Sequence, residues 1–483
     1  MKRVCLIVLL QICCAETYAQ TNDIHGNLAI QGILTTKGET PFWFRSDQFG
    51  SIPLSGASAS VIGAIRKDYD STRKRLLDWG SSLELRLNTG QETKVVLIEG
   101  YVKARLSIFE LKAGRAREIM GLVDTILSSG AFAMSGNALG IPNIQLATPD
   151  YYTLPFFGSL FSVKGNFAYG WLGKVPIQTG DRVDQAETYF NQASFYGRFG
   201  RSNWKFKLDA GFNHQVFWGS ERSIFGDSFK ISSLRAVEYA TIGRTYEGSK
   251  VGNHLGSIDL GAEYAFKKMR IMLYRQNFYD EGALFHLANL RDGLNGLSIA
   301  NIGADHKGFN WKKMVVEVFY SKDQAGYPWS KSTPSGDENY YNNYEYGEGW
   351  SYKGLGLGTP FITTRNSTVK GLPDQPTDYF NNNRVIAAYL GMQGSWNSWD
   401  LAARFSYSWN YGTFGTSPWG YSTGRNRVVP MYGLFPEKKE FSGYLKVRKA
   451  LKHRLALGLL AALDNGGLLY HSTGVILELS KSF

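Results

Sequence analysis

The chain has 483 residues, 43% of them apolar, 14% aromatic and 19% charged, with a net charge of +12. No apolar run reaches the roughly 18 residues of a membrane helix, which excludes a helical membrane protein. Aromatic and β-branched residues are spread along the length, which excludes a disordered chain and leaves a soluble β-rich protein or a membrane β-barrel.

In chain order, residues 1–19 read as a secretory signal peptide. Lys2 and Arg3 form the positive start, Val4 to Leu10 the apolar core, and Thr17-Tyr18-Ala19 the small-residue cleavage site before Gln20. A lipoprotein signal ending at Cys13 or Cys14 is the rival, and the large Ile12 argues against it. Cys5, Cys13 and Cys14 all lie in this segment, so an exported chain must be held without disulfides. Removing Lys2, Arg3 and Glu16 lowers the net charge from +12 to +11. That balance suits acidic glycans or lipopolysaccharide phosphates, and equally plain solubility.

Residues 20–55 do not alternate cleanly, and neither do 115–160. Both are expected to plug the lumen of a barrel or fold over its mouth, because a wide barrel stays open unless something fills it. Residues 56–483 are expected to form the barrel itself. Trp204, Phe206, Leu208, Ala210 and Phe212 alternate with polar residues. Ile258 to Phe266 and Trp399 to Trp409 do the same, as does the row Leu455, Leu457, Leu459, Ala461 and Leu463. Tight connections occur near 200–203, 267–268, 395–398 and 450–453, and long ones near 214–254, 280–296, 322–383 and 411–439. Short turns alternating with long loops are the layout of an outer-membrane barrel, and about 18 antiparallel strands are expected. Val475, Leu477, Leu479 and the terminal Phe483 resemble the signal read by the barrel assembly machinery, although Lys481 stands at an apolar position.

A family resemblance follows from two blocks. Thr40-Pro41-Phe42-Trp43-Phe44-Arg45-Ser46-Asp47-Gln48-Phe49-Gly50 is the first. The second is Leu111-Lys112-Ala113-Gly114-Arg115, then Leu127-Ser128-Ser129-Gly130, then Ser135-Gly136-Asn137-Ala138-Leu139-Gly140-Ile141-Pro142. Together they resemble the Wzi-like outer-membrane proteins of capsule assembly, in their Bacteroidetes-type form. The resemblance implies an all-β outer-membrane barrel of 18 strands in a Gram-negative bacterium. It also implies a periplasmic side closed by an N-terminal helical segment, loops exposed at the cell surface, and a lectin-like role in attaching or organising capsular or extracellular polysaccharide.

Sugar recognition needs flat apolar faces for pyranose C–H groups, with amides and charges for hydroxyls and acids. Tyr327, Trp329, Tyr340, Tyr341, Tyr344 and Trp350 supply the first in one long loop, and Trp419, Tyr421, Arg425 and Arg427 form a second cluster. Trp43, Arg45, Gln48, Ser129, Ser135 and Asn137 are read as motif positions that seat the internal segments, with ligand contact the alternative for Arg45 and Asn137. No His-Glu-x-x-His, Gly-x-Ser-x-Gly or Walker pattern is present, and the seven histidines are scattered. An enzyme, a cofactor, a metal and a nucleic-acid partner are therefore not expected. The expected partners are polysaccharide, outer-membrane lipid with lipopolysaccharide, and the assembly machinery. A porin-like channel for oligosaccharides is the rival reading.

Overall fold

The structure is a computed structural model that describes residues 24–36, 38–70, 76–247, 249–280, 284, 287, 289–304, 307–324, 338–416 and 432–483. Eighteen strands form one sheet. They are β1 Ile24–Thr35, β2 Ser58–Lys67, β3 Leu77–Thr89, β4 Lys94–Leu106, β5 Phe109–Arg115, β6 Asn143–Thr153, β7 Phe161–Pro176, β8 Gln185–Phe199 and β9 Phe206–Trp218. Then come β10 Asn253–Ala265, β11 Met269–Asp280, β12 Gly293–Asn301, β13 Phe309–Tyr320, β14 Val385–Trp396, β15 Trp399–Asn410, β16 Lys438–Ala450, β17 Leu455–Gly466 and β18 Ser472–Ser482. Each pairs antiparallel with the next. β1 also pairs with β18 from Asn27↔Ser482 to Thr35↔Gly474, which closes the barrel.

The alternation read from the sequence sets which side chains face out. Phe206, Leu208 and Phe212 of β9 are exposed on the outer wall, while Asp209 and Asn213 are buried inside. Leu457, Leu459 and Leu463 of β17 point out, and Ala456, Leu460 and Ala462 point in. The outer face is thus an apolar belt, and the inner face mixes polar and small residues with large apolar ones that meet the internal chain, as in a filled membrane barrel. Linked rings of Phe157, Phe161, Phe199 and Trp204, with centroids 5.6–6.1 Å apart, edge the belt at the end where the turns are short. Both ends of the described chain lie at this end. There Phe483 donates its N–H to Gly26 O (2.9 Å) and packs on Gly26.

Two expectations about the early segments need correction. Residues 20–55 are not one internal segment, because Ile24–Thr35 is a wall strand. Ile24, Ile30 and Leu34 face out and Gln31 and Ile33 face in, an alternation that Gly26 and Gly32 thin on the outer side. Likewise, Asn143–Thr153 from the 115–160 region is β6. Among the described residues of 24–55 the only helix is the four-residue α1, Phe42–Arg45, and it lies inside the wall rather than under the short-turn end. The remaining internal chain, 38–57 and 116–142, enters from the long-loop end and packs within the barrel. Two further helices, α2 Glu221–Phe225 and α3 Ser233–Ile242, belong to the β9–β10 connection.

Inside, Trp43 is buried, donates Nε1–H to Ser406 Oγ on β15 (3.0 Å), and lies 5.2 Å from the Tyr389 ring on β14. The Phe42 N–H donates to Asp464 on β17 (2.7 Å), and Asp47 pairs with Arg404. Residues 116–142 touch β10 and β13 as well as β14, where Tyr389 OH donates to Leu127 O (2.6 Å). Leu122 N–H donates to Asp259 of β10 (2.7 Å), and Lys313 of β13 pairs with Asp124 (2.9 Å). Ser128 Oγ (2.7 Å) and Ser129 N–H (2.6 Å) both donate to Glu317. Each large apolar side chain buried in this core stabilises by roughly 1.5–3 kcal/mol. The hydrogen bonds to wall carboxylates satisfy polar groups that would otherwise be stranded.

Candidate functional site

The long-loop end carries the site. The β13–β14 connection returns into the barrel and joins the internal core. Tyr340, Tyr341 and Trp350 are fully buried there. Tyr340 OH donates to Asp292 Oδ2 (2.7 Å), Tyr341 OH donates to Phe132 O, and Trp350 Nε1–H donates to Ala133 O (2.7 Å). Trp350 also stacks on Phe217 of β9 at 4.1 Å. This corrects the reading of these three aromatics as open sugar faces: each is spent on holding the loop to the interior. Tyr344 is 52% exposed, with its hydroxyl donating to Glu345 Oε1 (2.9 Å). Tyr327, Trp329, Trp419, Tyr421, Arg425 and Arg427 lie outside the described residues.

The loop is latched by a polar knot beside Tyr340. Asp292 accepts from the N–H groups of Asp323 (2.9 Å) and Gln324 (2.7 Å) as well as from Tyr340. Asn383 Nδ2 donates to Tyr340 O (2.8 Å) and Asn339 Oδ1 (2.6 Å). Burial pushes the Asp292 carboxyl up to about 7 and the nearby Arg384 guanidinium down to about 10. The Asp378 carboxyl, which accepts from Thr413 Oγ1 (2.7 Å), is raised by burial to about 6.

The motif positions make internal contacts. Ser135 Oγ donates to Gly358 O (2.6 Å), and Asn137 Nδ2 donates to Gly356 O (3.2 Å). Gln48 O accepts from Ser51 N–H (3.1 Å) and Ser51 Oγ (2.7 Å). Arg45 is held below its usual range by burial, against the pull of Asp464 and Glu39. The run Gly354-Leu355-Gly356-Leu357-Gly358, which reads in sequence as a flexible loop, is closely packed. Leu355–Gly356 pairs with Ser351–Tyr352, and a Cβ on Gly358 would fall 1.8 Å from Phe132 O.

Between these elements a cleft of about 700 Å³ opens at the mouth. It is walled by residues 50–55, by the β3–β4 turn with Lys94, by Arg115 at the end of β5, and by Tyr352, Lys353 and Tyr379. Arg115 donates to Leu97 O (3.1 Å) and Tyr352 OH (2.9 Å), while its buried Nε has no hydrogen-bond partner among the described residues. Lys353 stands exposed on the tip of the short hairpin at φ +54°, beside Gly354 at φ +81°. A second cleft of about 410 Å³, lined by Lys174, Gln185, Tyr346 and Glu348, lies on the other side of the same tip. Together the two clefts make a groove of mixed polar and apolar lining, where Arg45, Lys94, Arg115, Lys174 and Lys353 outnumber Glu39, Glu92 and Glu348, with room for several sugar rings. Lys353 and Lys94 were missed in the sequence, where Arg115 enters only as the close of a motif block. Among the described residues no group of histidine, cysteine and acidic side chains could hold a metal ion.

The sequence profile of the family described as capsule assembly protein Wzi matches residues 48–394. No curated protein sequence matches the chain. Among solved structures, the chain is similar to Wzi of Escherichia coli, described as an outer-membrane protein of group 1 capsule assembly and a carbohydrate-binding β-barrel. Identity is 10% and the TM-score 0.53, over 94% of this chain and 83% of that one. Pseudomonas aeruginosa OccD3 is 9% identical with a TM-score of 0.44, over 96% of this chain and 92% of that one. Acinetobacter baumannii OccAB2 is 11% identical with a TM-score of 0.46, over 95% and 98%. The chain belongs to the Wzi family of capsule assembly proteins and is an outer-membrane β-barrel of a Gram-negative bacterium.

Proposed function

We propose that this protein binds surface polysaccharide and retains it at the cell, with the groove at the barrel mouth as the contact. The groove between residues 50–55, Arg115 and the Tyr352–Lys353 tip carries this reading. Its cations favour a polymer bearing carboxylates or other acidic groups, since guanidinium and ammonium donors pair with oxyanions. Clefts on both sides of one tip favour the middle of a chain over its end. The rim loops add the second contact set. Trp329 and Trp419, which lie outside the described residues, are proposed as part of that set. Many weak contacts along a repeating polymer then add up to retention.

The packing of residues 38–57 and 116–142 within the wall supports a closed lumen rather than an oligosaccharide channel. The test is complementation of a deletion strain, comparing cell-attached with shed polysaccharide. The unaltered chain should restore attachment, and the K94E/K353E chain should shed. Full attachment by that variant, present and folded in the outer membrane, would remove the groove from the site.

A further inference from the structure

The barrel wall carries apolar cores on both faces. The larger one is the luminal core already described. The smaller one lies outside, where Val216 and Trp218 of β9 meet Phe229, Ile231, Ala236 and Ala240 of the β9–β10 connection. Sidedness follows from register: Phe212, which shares its face of β9 with Val216 and Trp218, is exposed in the belt, whereas Phe217 stacks on luminal Trp350. Helix α3 therefore lies against the outer wall. It is capped by Ser232, whose side chain accepts from Arg235 N–H, and it ends at Gly243 in the left-handed conformation. Asn191 Nδ2 of β8 donates to Thr241 Oγ1 of α3 (2.9 Å). Polar residues face outward beside Val216 and Trp218 in this part of the wall. His214 Nδ1 lies 2.7 Å from Tyr279 OH, and His254 Nδ1 lies 3.1 Å from His214 Nε2. On the same strands toward the short turns, Phe195, Phe212 and Ile258 are bare.

The covered zone thus begins where the apolar belt stops, at the outer rim. The far side of α3 is itself apolar in part. Leu234 is 85% exposed and Ile242 57%, one turn to either side of Glu238. Glu238 carries its own counter-ion, Arg244, at 2.9 Å. Arg222, Lys230 and Arg235 are exposed in the same connection, as are Asp227 and Glu247.

We propose that residues 219–247 form a collar that docks in the outer-leaflet lipid surrounding the barrel. Leu234 and Ile242 continue the belt into the boundary between headgroups and acyl chains. Arg222, Lys230 and Arg235 meet lipid phosphates above it. A helix of this kind sinks its apolar face roughly 5–10 Å into that boundary. The lipid is the occupant because the surface runs directly into the lipid-facing belt.

The test is a depth measurement on the full chain. Cys5, Cys13 and Cys14 are its only cysteines. With these replaced by serine, L234C and I242C each give one thiol for an environment-sensitive fluorophore. T377C, exposed on the β13–β14 connection, is the aqueous control. Heat-modifiable mobility on a gel establishes that each chain is a folded barrel. In phosphatidylcholine–phosphatidylglycerol vesicles, labels at 234 and 242 should be blue-shifted, quenched by lipids brominated near the headgroup, and shielded from iodide. The label at 377 should behave in the opposite way. Iodide quenching at 234 and 242 equal to that at 377 would overturn the collar and leave α3 as a cover for the wall. In the R222Q/K230Q/R235Q chain, any extra bromolipid quenching added by phosphatidylglycerol should disappear. Its persistence would overturn the role of the cations.

Discussion

At the scale of single residues, the interior is held by a few side chains with fixed partners. Trp350 is the largest of them on the returning loop. Removing its ring leaves a cavity against Phe217 and strands Ala133 O, and Trp→Ala changes of this kind cost about 3–5 kcal/mol. W350A is expected to free the loop to protease at residues 338–384 while the barrel keeps its heat-modifiable mobility. Asp292 gives a pH dependence of known sign. Its carboxyl is raised from 3.8 to about 7 by burial, so the folded chain holds the proton more tightly than the unfolded chain does. The loop is therefore most stable below the ordinary carboxylate range and loses stability as pH rises through about 7. The titratable groups facing Asp292 are Tyr340, Asp323, Arg384, Arg275 and Tyr320. D292N should flatten the pH profile of loop proteolysis between pH 4 and 7; an unchanged profile would assign the titration elsewhere. None of these roles was legible in sequence, because Tyr340 and Trp350 have the composition of a sugar-binding loop. Only the partners waiting in the lumen show that they are buried.

At the scale of elements, the strands were the legible part. Wherever outward positions carry large apolar residues, as in β9, β15 and β17, alternation gives both the strand and its facing. The reading failed at β1 and β6. In β1, glycines replace two of the outward side chains. In β6, Pro149 and the register shift between Thr148 and Tyr152 break the rhythm. The internal segments are legible by their lack of period, but their route through the lumen depends on wall residues far away in sequence. This changes how closure should be tested. Deleting residues 20–55 would remove a wall strand, so the informative variant replaces residues 118–140 with a short Gly-Ser link. That chain should conduct in a planar bilayer where the unaltered chain does not, and equal conductance would place the barrier in another segment.

At the scale of the whole molecule, the chain is basic, with a net charge of +12, and the proposed groove is at the end away from Ile24 and Phe483. The proposed glycan contact through Arg115, Lys94 and Lys353 should weaken with salt, because exposed charges are screened beyond about 8 Å at physiological ionic strength. The W329A/W419A chain is expected to bind less polysaccharide while remaining a folded barrel; undiminished binding would confine recognition to the groove. The sequence conveyed the class of molecule, since strand number and loop asymmetry both follow from local pattern. The groove itself was hidden. Arg115 closes one wall strand, Lys94 opens the one beside it, and Lys353 stands on a loop more than 200 residues further along. Only closure of the sheet brings them to one opening.

The seam between β1 and β18 has a consequence for biogenesis. The first and last strands are neighbours, so the wall has no complete circumference until the final dozen residues arrive. Residues 38–57 and 116–142 precede the last strand in the chain and pack inside the ring it closes, so a chain lacking that strand loses the enclosure of this core as well as one strand of wall.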